Sequence, residues 1–399
     1  MKYHSLLSIR LLAITLITFC ASYSIADVGS STETSETPLH GFLKSMPEKS
    51  NSAVSPQGIK WLAAMMYVGA SDQTASELKN AFSFDDDPSQ VAERLKNESI
   101  IEDATTDVQN FRISNGIWAD KQIALKPDFL SCLQNDFGAN LETCDFENEL
   151  KSAQTNINEW TRLQTGGDVA SLFDNISSDS QLVLVNTICF RSEWLSPFDT
   201  KLTKTQKFTL FNGRKIDHRM MRKQLRCEYG EDAEAVCIEL PYVQENLAML
   251  FILPKNPRNW GNMERSMSGK KINEWCELMV REEVDCMIPK MNLTQSFDLR
   301  NVFKNIGVTT PFSTEKANFT KISDRDLHVS QAIQKIRIEV DETGTKATSA
   351  AGVEFAPKAN LSGATPEKKR FYANRPFWFV IRNTETGTIY FLGRFVGLP

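Results

Sequence analysis

Histidine is scarce in this 399-residue sequence, with four residues in all, and the motifs that usually carry catalysis are missing. There is no HExxH, no CxxC pair, no GxSxG elbow, no GxGxxG and no Gly-rich phosphate loop. The sequence therefore points away from an enzyme, and neither a cofactor nor a metal is expected. Cys227 and Cys237 lack histidines at zinc spacing and read as cross-strand neighbours in a hairpin around Gly230. Basic charge is not in excess. Against 50 Asp plus Glu stand 45 Lys plus Arg, a net charge of −5 that argues against nucleic-acid binding. Glycine (19) and proline (15) are too few for a collagen-like or low-complexity chain. No apolar run is long enough to span a bilayer. The best, Leu11–Ala26, has 16 residues against the ~20 required.

What is present at the N-terminus reads as a secretory signal. Lys2, His4 and Arg10 precede the apolar run Leu11–Phe19, and Ser24-Ile25-Ala26 supplies a small-x-small cleavage site. Residues 1–26 are expected to be removed, leaving 27–399 as a single secreted, extracellular domain that works as a monomer. Residues 27–38 are polar and are expected to be disordered. Five Asn-x-Ser/Thr sequences agree with export and mark candidate glycosylation sites: Asn97, Asn175, Asn292, Asn318 and Asn360. Cys20 leaves with the signal. The seven cysteines that remain cannot all pair within one chain, and a core of this size does not need them to. They read as mostly buried free thiols.

Helical patterns come first along the chain. Trp61, Leu62, Met65, Met66 and Val68 follow the start signal Ser55-Pro56. Leu78, Ala81 and Phe82 suggest a second helix, Phe129 to Phe137 a third ended by Gly138, and Leu150 to Leu163 a fourth ended by Gly166-Gly167. Strand-like segments dominate later: 182–190, 235–240, 247–253, 336–340, 377–381 and 389–396. Helices and strands mix without regular alternation and without repeats, which gives one large α+β domain.

Residues 341–360, DETGTKATSAAGVEFAPKAN, are the most informative stretch. Small residues crowd 344–352, as in an exposed linker. Yet alternate positions separate cleanly. Thr345, Ala347, Ser349, Ala351, Val353 and Phe355 form an uncharged set, while Lys346, Thr348, Ala350, Gly352 and Glu354 hold both charges. A strand puts such sets on opposite faces, one buried and one toward water. A segment suited to both a loop and a strand suggests a switch.

Several stretches now align in order: NSAVSPQGI at 51–59, INEWTRLQTGG at 157–167, LVLVNTICFRSEWLSPF at 182–198, the Met220-Met221 pair, KIRIEVDETGTKAT at 335–348 and FYANRPFWFVIRNTETGTIYFLGRFVGLP at 371–399. On these the sequence resembles the serpins, the serine-protease-inhibitor superfamily, from about Asn51 to the C-terminus. The resemblance implies the serpin fold, with three β-sheets, about nine helices and an exposed reactive-centre loop, here about 342–370. It also implies a mechanism. A protease attacks the loop and becomes acylated, and the cut loop then enters the central sheet as a new strand and distorts the enzyme. Glu342 and Gly344 match the hinge, Thr345 matches the first residue to enter, and Ala347, Thr348, Ser349 and Ala350 match the small run that inhibitory members keep. Lys346 replaces the usual Glu on the outward parity. Ser55, Asn186, Trp194 and Gln334 match the regions where the central sheet parts. Gln334 stands where many members have His, and Gly58 where many have Ser.

Counting 17 residues inclusively from Glu342 places the specificity residue at Lys358 and the scissile bond at Lys358–Ala359. The stretch after it is lengthened, so if the extra residues precede the bond it shifts toward Ser362. Lys358 implies a trypsin-like serine protease as partner in a covalent complex. The alternative is a non-inhibitory carrier or chaperone on the same fold. A glycan at Asn360 would obstruct docking, so active protein is expected to lack one there. Arg214, Lys215, Arg219, Arg222, Lys223 and Arg226 stand against one acid, Asp217, and suggest a site for a heparin-type polyanion.

Overall fold

The computed structural model describes residues 36–47, 49–84, 87–98, 110–165, 167, 176–345 and 368–397. The first half of the chain supplies α1 (Glu36–Ser45), β1 (Ser52–Val54), α2 (Pro56–Gly69), α3 (Asp72–Phe82), α4 (Pro88–Glu98), β2 (Asn110–Asp120), α5 (Pro127–Asn135), β3 (Asn140–Cys144), α6 (Leu150–Gln164) and β4 (Leu182–Glu193). Next come β5 (Lys204–Thr209), β6 (Lys215–Glu231), β7 (Ala235–Pro241), β8 (Leu247–Pro254), α7 (Trp260–Ser266) and α8 (Gly269–Glu277). The last third holds β9 (Val280–Pro289), β10 (Met291–Asp298), α9 (Leu299–Asn305), β11 (Val329–Val340), β12 (Gly344–Thr345), β13 (Lys369–Tyr372), β14 (Phe377–Asn383) and β15 (Ile389–Phe395).

The start signal at Ser55-Pro56 has a direct physical meaning. Ser55 is the N-cap of α2, its Oγ accepting from Gly58 N at 3.2 Å, and Pro56 occupies the first turn, where a missing N–H costs nothing. Almost every residue of α2 is buried, because sheet and helices cover it on all sides. The segment 27–38 needs a correction at its end. α1 begins at Glu36, since Leu39, Phe42 and Leu43 gain a buried face by continuing the helix.

The strands form two hydrogen-bonded systems. One has the order β1-β15-β14-β8-β7-β6-β9-β13 with β5 attached to β6, and the other the order β10-β11-β12-β4-β2-β3. The 17-residue β6 merges the two smaller expected sheets, because its first part pairs with β5 and its last part with β7. All seven cysteines of the described residues are free, four of them buried. Cys227 and Cys237 are not cross-strand neighbours. Cys237 faces Gly230 across β6–β7, Cys227 faces Glu282 of β9, and the reversal lies beyond Glu231.

Candidate functional site

β4 and β11 run parallel through the middle of the six-stranded sheet and pair directly from Val329↔Leu182 to Arg337↔Cys189. Beyond that level they part, and β12 fills the gap. Thr345 lies between Val340 of β11 and Ser192 of β4, antiparallel to both.

The turn that delivers β12 is tightly held. Asp341 Oδ1 accepts from Thr343 N (2.8 Å) and Thr343 Oγ1 (2.9 Å). Its carbonyl accepts from Trp194 Nε1 at 3.0 Å. Trp194 N and Phe198 N donate to the carbonyls of Thr343 and Glu342, both at 2.8 Å. The buried Glu342 carboxylate meets Lys290 Nζ at 2.6 Å. Burial pushes its pKa up, but Lys290 and other donors outweigh this and leave it below the ordinary carboxylate range. Gly344 is required by space. A Cβ there would press into the Ser192 carbonyl and lie 2.6 Å from Glu193 Cα. Thr345 is fully buried, with Oγ1 2.8 Å from the Tyr242 hydroxyl. The Tyr242 ring stacks on Trp194 at 4.6 Å, and complete burial drives its phenol pKa far up, so it stays neutral.

Lower on the same seam, Gln334 and Asn186 sit opposite each other. Gln334 Nε2 donates to Asn186 Oδ1 (2.9 Å) and to the Ser55 carbonyl (3.1 Å), while its Oε1 accepts from Ser55 N (2.9 Å). Asn186 Nδ2 passes the chain on to Asn115 Oδ1 of β2 at 2.8 Å. All four residues are buried. Gly58 is bound into this arrangement. A Cβ there would overlap Asn186 Oδ1 and lie 2.9 Å from Gln334 Nε2. The long Gln334 amide thus occupies the space that a side chain at 58 would need.

Water reaches only part of the seam's outer face. Val183 and Val185 are fully buried there in a cluster with Ala153 and Ile157 of α6. The loop positions expected to meet solvent, Lys346 to Glu354, lie outside the described residues; the lower half of the face beside them in the β12 register is covered by α6.

The structure thus brings Trp194, Glu342, Gly344 and Thr345 together at the top of the seam, and Ser55, Asn186 and Gln334 together below. Ala347, Thr348, Ser349, Ala350, Lys358, Ala359, Asn175 and Asn360 lie outside the described residues. Asn97 is on α4, Asn292 is exposed on β10, and Asn318 is half-buried after α9. The basic stretch is divided. Arg222 makes a bidentate contact to Asp285 (2.9 and 2.6 Å), and Lys223 binds Ser196 Oγ (2.8 Å) and the Pro197 carbonyl (2.6 Å). Arg214, Lys215, Arg219 and Arg226 are exposed. Tyr242, Lys290 and Asn115 were not singled out from the sequence. Tyr242 had a partial signal, an aromatic directly after the strand that ends at Pro241.

The family model described as Serpin (serine protease inhibitor) matches residues 39–398. The chain is a serpin. It is 30% identical to Serpin B6 of Pongo abelii over 86% of this chain and 93% of that one. It is also 30% identical to the human leukocyte elastase inhibitor, over 86% and 92%. Among solved structures it resembles native protease nexin-1 with heparin, with a TM-score of 0.80 and 27% identity over 92% of this serpin and 98% of that chain. It resembles thyroxine-binding globulin complexed with thyroxine at the same TM-score and 22% identity, over 92% and 99%, a likeness of fold.

Proposed function

We propose that this serpin is a secreted inhibitor of trypsin-like serine proteases, cut at Lys358–Ala359. The observation that carries the proposal is the register of β12. Continued downward between β4 and β11, the same pairing would set Ala347 between Phe190 and Ile338, Ser349 between Ile188 and Ile336, and Ala351 between Asn186 and Gln334. These neighbours are all buried, so only small uncharged side chains are received without strain. Phe355 would then reach Leu182, where β4 begins, and Lys358 would fall three residues past the end of the sheet. A protease acylated on Lys358 would be carried about 40 Å, thirteen steps at ~3.3 Å each. A bond at Ser362 would leave it on slack chain.

Charge supports the same bond. Lys358 is the one basic residue between Lys346 and Lys368. Lys368 pairs with Glu283 (3.1 Å) and Lys369 with Glu231 (3.3 Å), so both serve the sheet after the loop. The protease serine attacks the Lys358 carbonyl, the bond to Ala359 N breaks, and Ala359 leaves as a free amine. Insertion then outruns hydrolysis of the ester. Replacing Lys358 by Ala leaves the acid of a trypsin-like pocket unpaired, a loss of about 3–5 kcal/mol. Trypsin inhibition should fall at least ~100-fold in rate. Unchanged inhibition by Lys358→Ala would place the bond elsewhere.

The alternative is a non-inhibitory carrier or chaperone on the same fold. It predicts cleavage by trypsin with no covalent complex. A polyanion on the exposed Arg214, Lys215, Arg219 and Arg226 is part of the proposal, supported by the heparin bound to the nexin-1 neighbour. Salt-sensitive acceleration by heparin tests it.

A further inference from the structure

The six-stranded sheet ends at β3, five residues long, on one side and at β10, eight residues long, on the other. An open edge is a template for another chain, and folded proteins blunt it with charge, proline, a bulge or short length. The body of β10 has none of these. Its pairing with β11 is unbroken from Met291↔Val340 to Asp298↔Ile333. Its outward side chains are Asn292, Thr294, Ser296 and Asp298. The acid comes only at the end, where Asp298 caps α9 and holds Arg300.

Along this edge stands the sequence Asn292-Leu293-Thr294. Asn292 and Thr294 are exposed on one face, and Leu293 is buried on the other. Asn318, half-buried after α9, differs. Asn318 donates Nδ2 to Asp72 (2.8 Å) and accepts Thr320 N on Oδ1 (3.2 Å), so its amide serves the fold. The Asn292 side chain has no hydrogen-bond partner among the described residues.

We infer that Asn292 carries an N-linked glycan that shields the β10 edge from pairing with β10 of a second copy. The inference rests on the secretory reading and is independent of inhibition. In the secretory pathway Asn292 Nδ2 displaces lipid pyrophosphate from the anomeric carbon of a lipid-linked oligosaccharide. An N–C bond forms, the C–O bond to the pyrophosphate breaks, and the amide loses one proton to the transferase. A branched glycan at this margin overhangs the backbone N–H and C=O groups of the strand that pair with no strand among the described residues.

The test is expression of the full chain in a secreting eukaryotic cell, followed by peptide mapping and light scattering of the purified protein. Asn292 should be occupied. Asn292→Gln and Thr294→Ala remove the acceptor sequence, and Thr294→Ser keeps it. The first two should form dimers and larger species several-fold faster than wild type and Thr294→Ser. Wild type trimmed by an endoglycosidase to a single sugar should behave like them, and this arm needs no substitution. An unoccupied Asn292, or an occupied one whose trimming leaves association unchanged, overturns the inference. Trypsin trapping scored on the same samples separates the readings, because its failure counts only against the inhibitor proposal.

Discussion

The seam between β4 and β11 is closed in two different ways along its length. At the top it has already opened by one strand's width, and β12 is held there by a glycine fit, a charged pair and the buried Thr345–Tyr242 contact. In the middle the two strands still pair directly, joined by neutral amides from Gln334, Asn186 and Asn115 around the Ser55 backbone. On the proposed insertion, the upper region would be where it starts and the lower one would have to be undone. A device that stays open at one end and locked below can propagate insertion once the chain is cut.

Changing Thr345 should produce the largest effect. Thr345→Arg asks a charge to lie fully buried beside Tyr242, at a cost of several kcal/mol, on the order of 3–5. We expect β12 to be expelled and insertion to lag behind deacylation. Trypsin should then cut the variant and leave, which denaturing gels would show as cleaved protein without complex. Lys346→Arg, on the opposite parity, should keep parental stoichiometry. Complex formation by Thr345→Arg at the parental yield would remove the register argument.

The amide lock should respond next. Gly58→Ser overpacks against Asn186 and Gln334, for an expected loss of about 1–3 kcal/mol in thermal or urea unfolding. Shortening the opposing side chain by Gln334→Ser should recover part of that loss, giving a coupling of about 0.5–3 kcal/mol in the double-mutant cycle. Strict additivity would mean that the two positions do not share the space.

The Glu342–Lys290 pair should give the smallest effect. Glu342 is buried but Lys290 is 38% exposed, so water screens the contact to about 1 kcal/mol or less. Its sign follows from the depressed Glu342 pKa. The stabilisation is present above the unfolded carboxylate value of about 4.3 and disappears as pH falls through the lower folded value. Glu342→Gln should lower the melting temperature slightly at pH 7 and show a smaller further loss on acidification than the parent. Parallel pH curves for the two proteins would contradict this role.

The α2 start and six of the strand cores were legible because each rests on local chemistry: a cap, or a 3.6 or 2 period. The early start of α1 was not. Composition marks residues 27–38 as polar, and the helix continues only because Leu39 and its neighbours find a surface supplied by distant elements. Gly58 gave no sign of its necessity, since the atoms that forbid a Cβ come from residues 186 and 334. The cover that α6 lays over Val183 and Val185 was hidden for the same reason. Contacts between residues far apart in sequence decide which face of a strand meets water.

The central claim is that insertion proceeds in the β12 register with the bond at Lys358–Ala359. The most direct measurement is incubation of the protein with trypsin, followed by a denaturing gel and N-terminal sequencing of the released C-terminal fragment. The account predicts a complex that survives denaturation and a fragment beginning Ala359-Asn360-Leu361. Cleavage without a complex, or a fragment beginning at another residue, would contradict it.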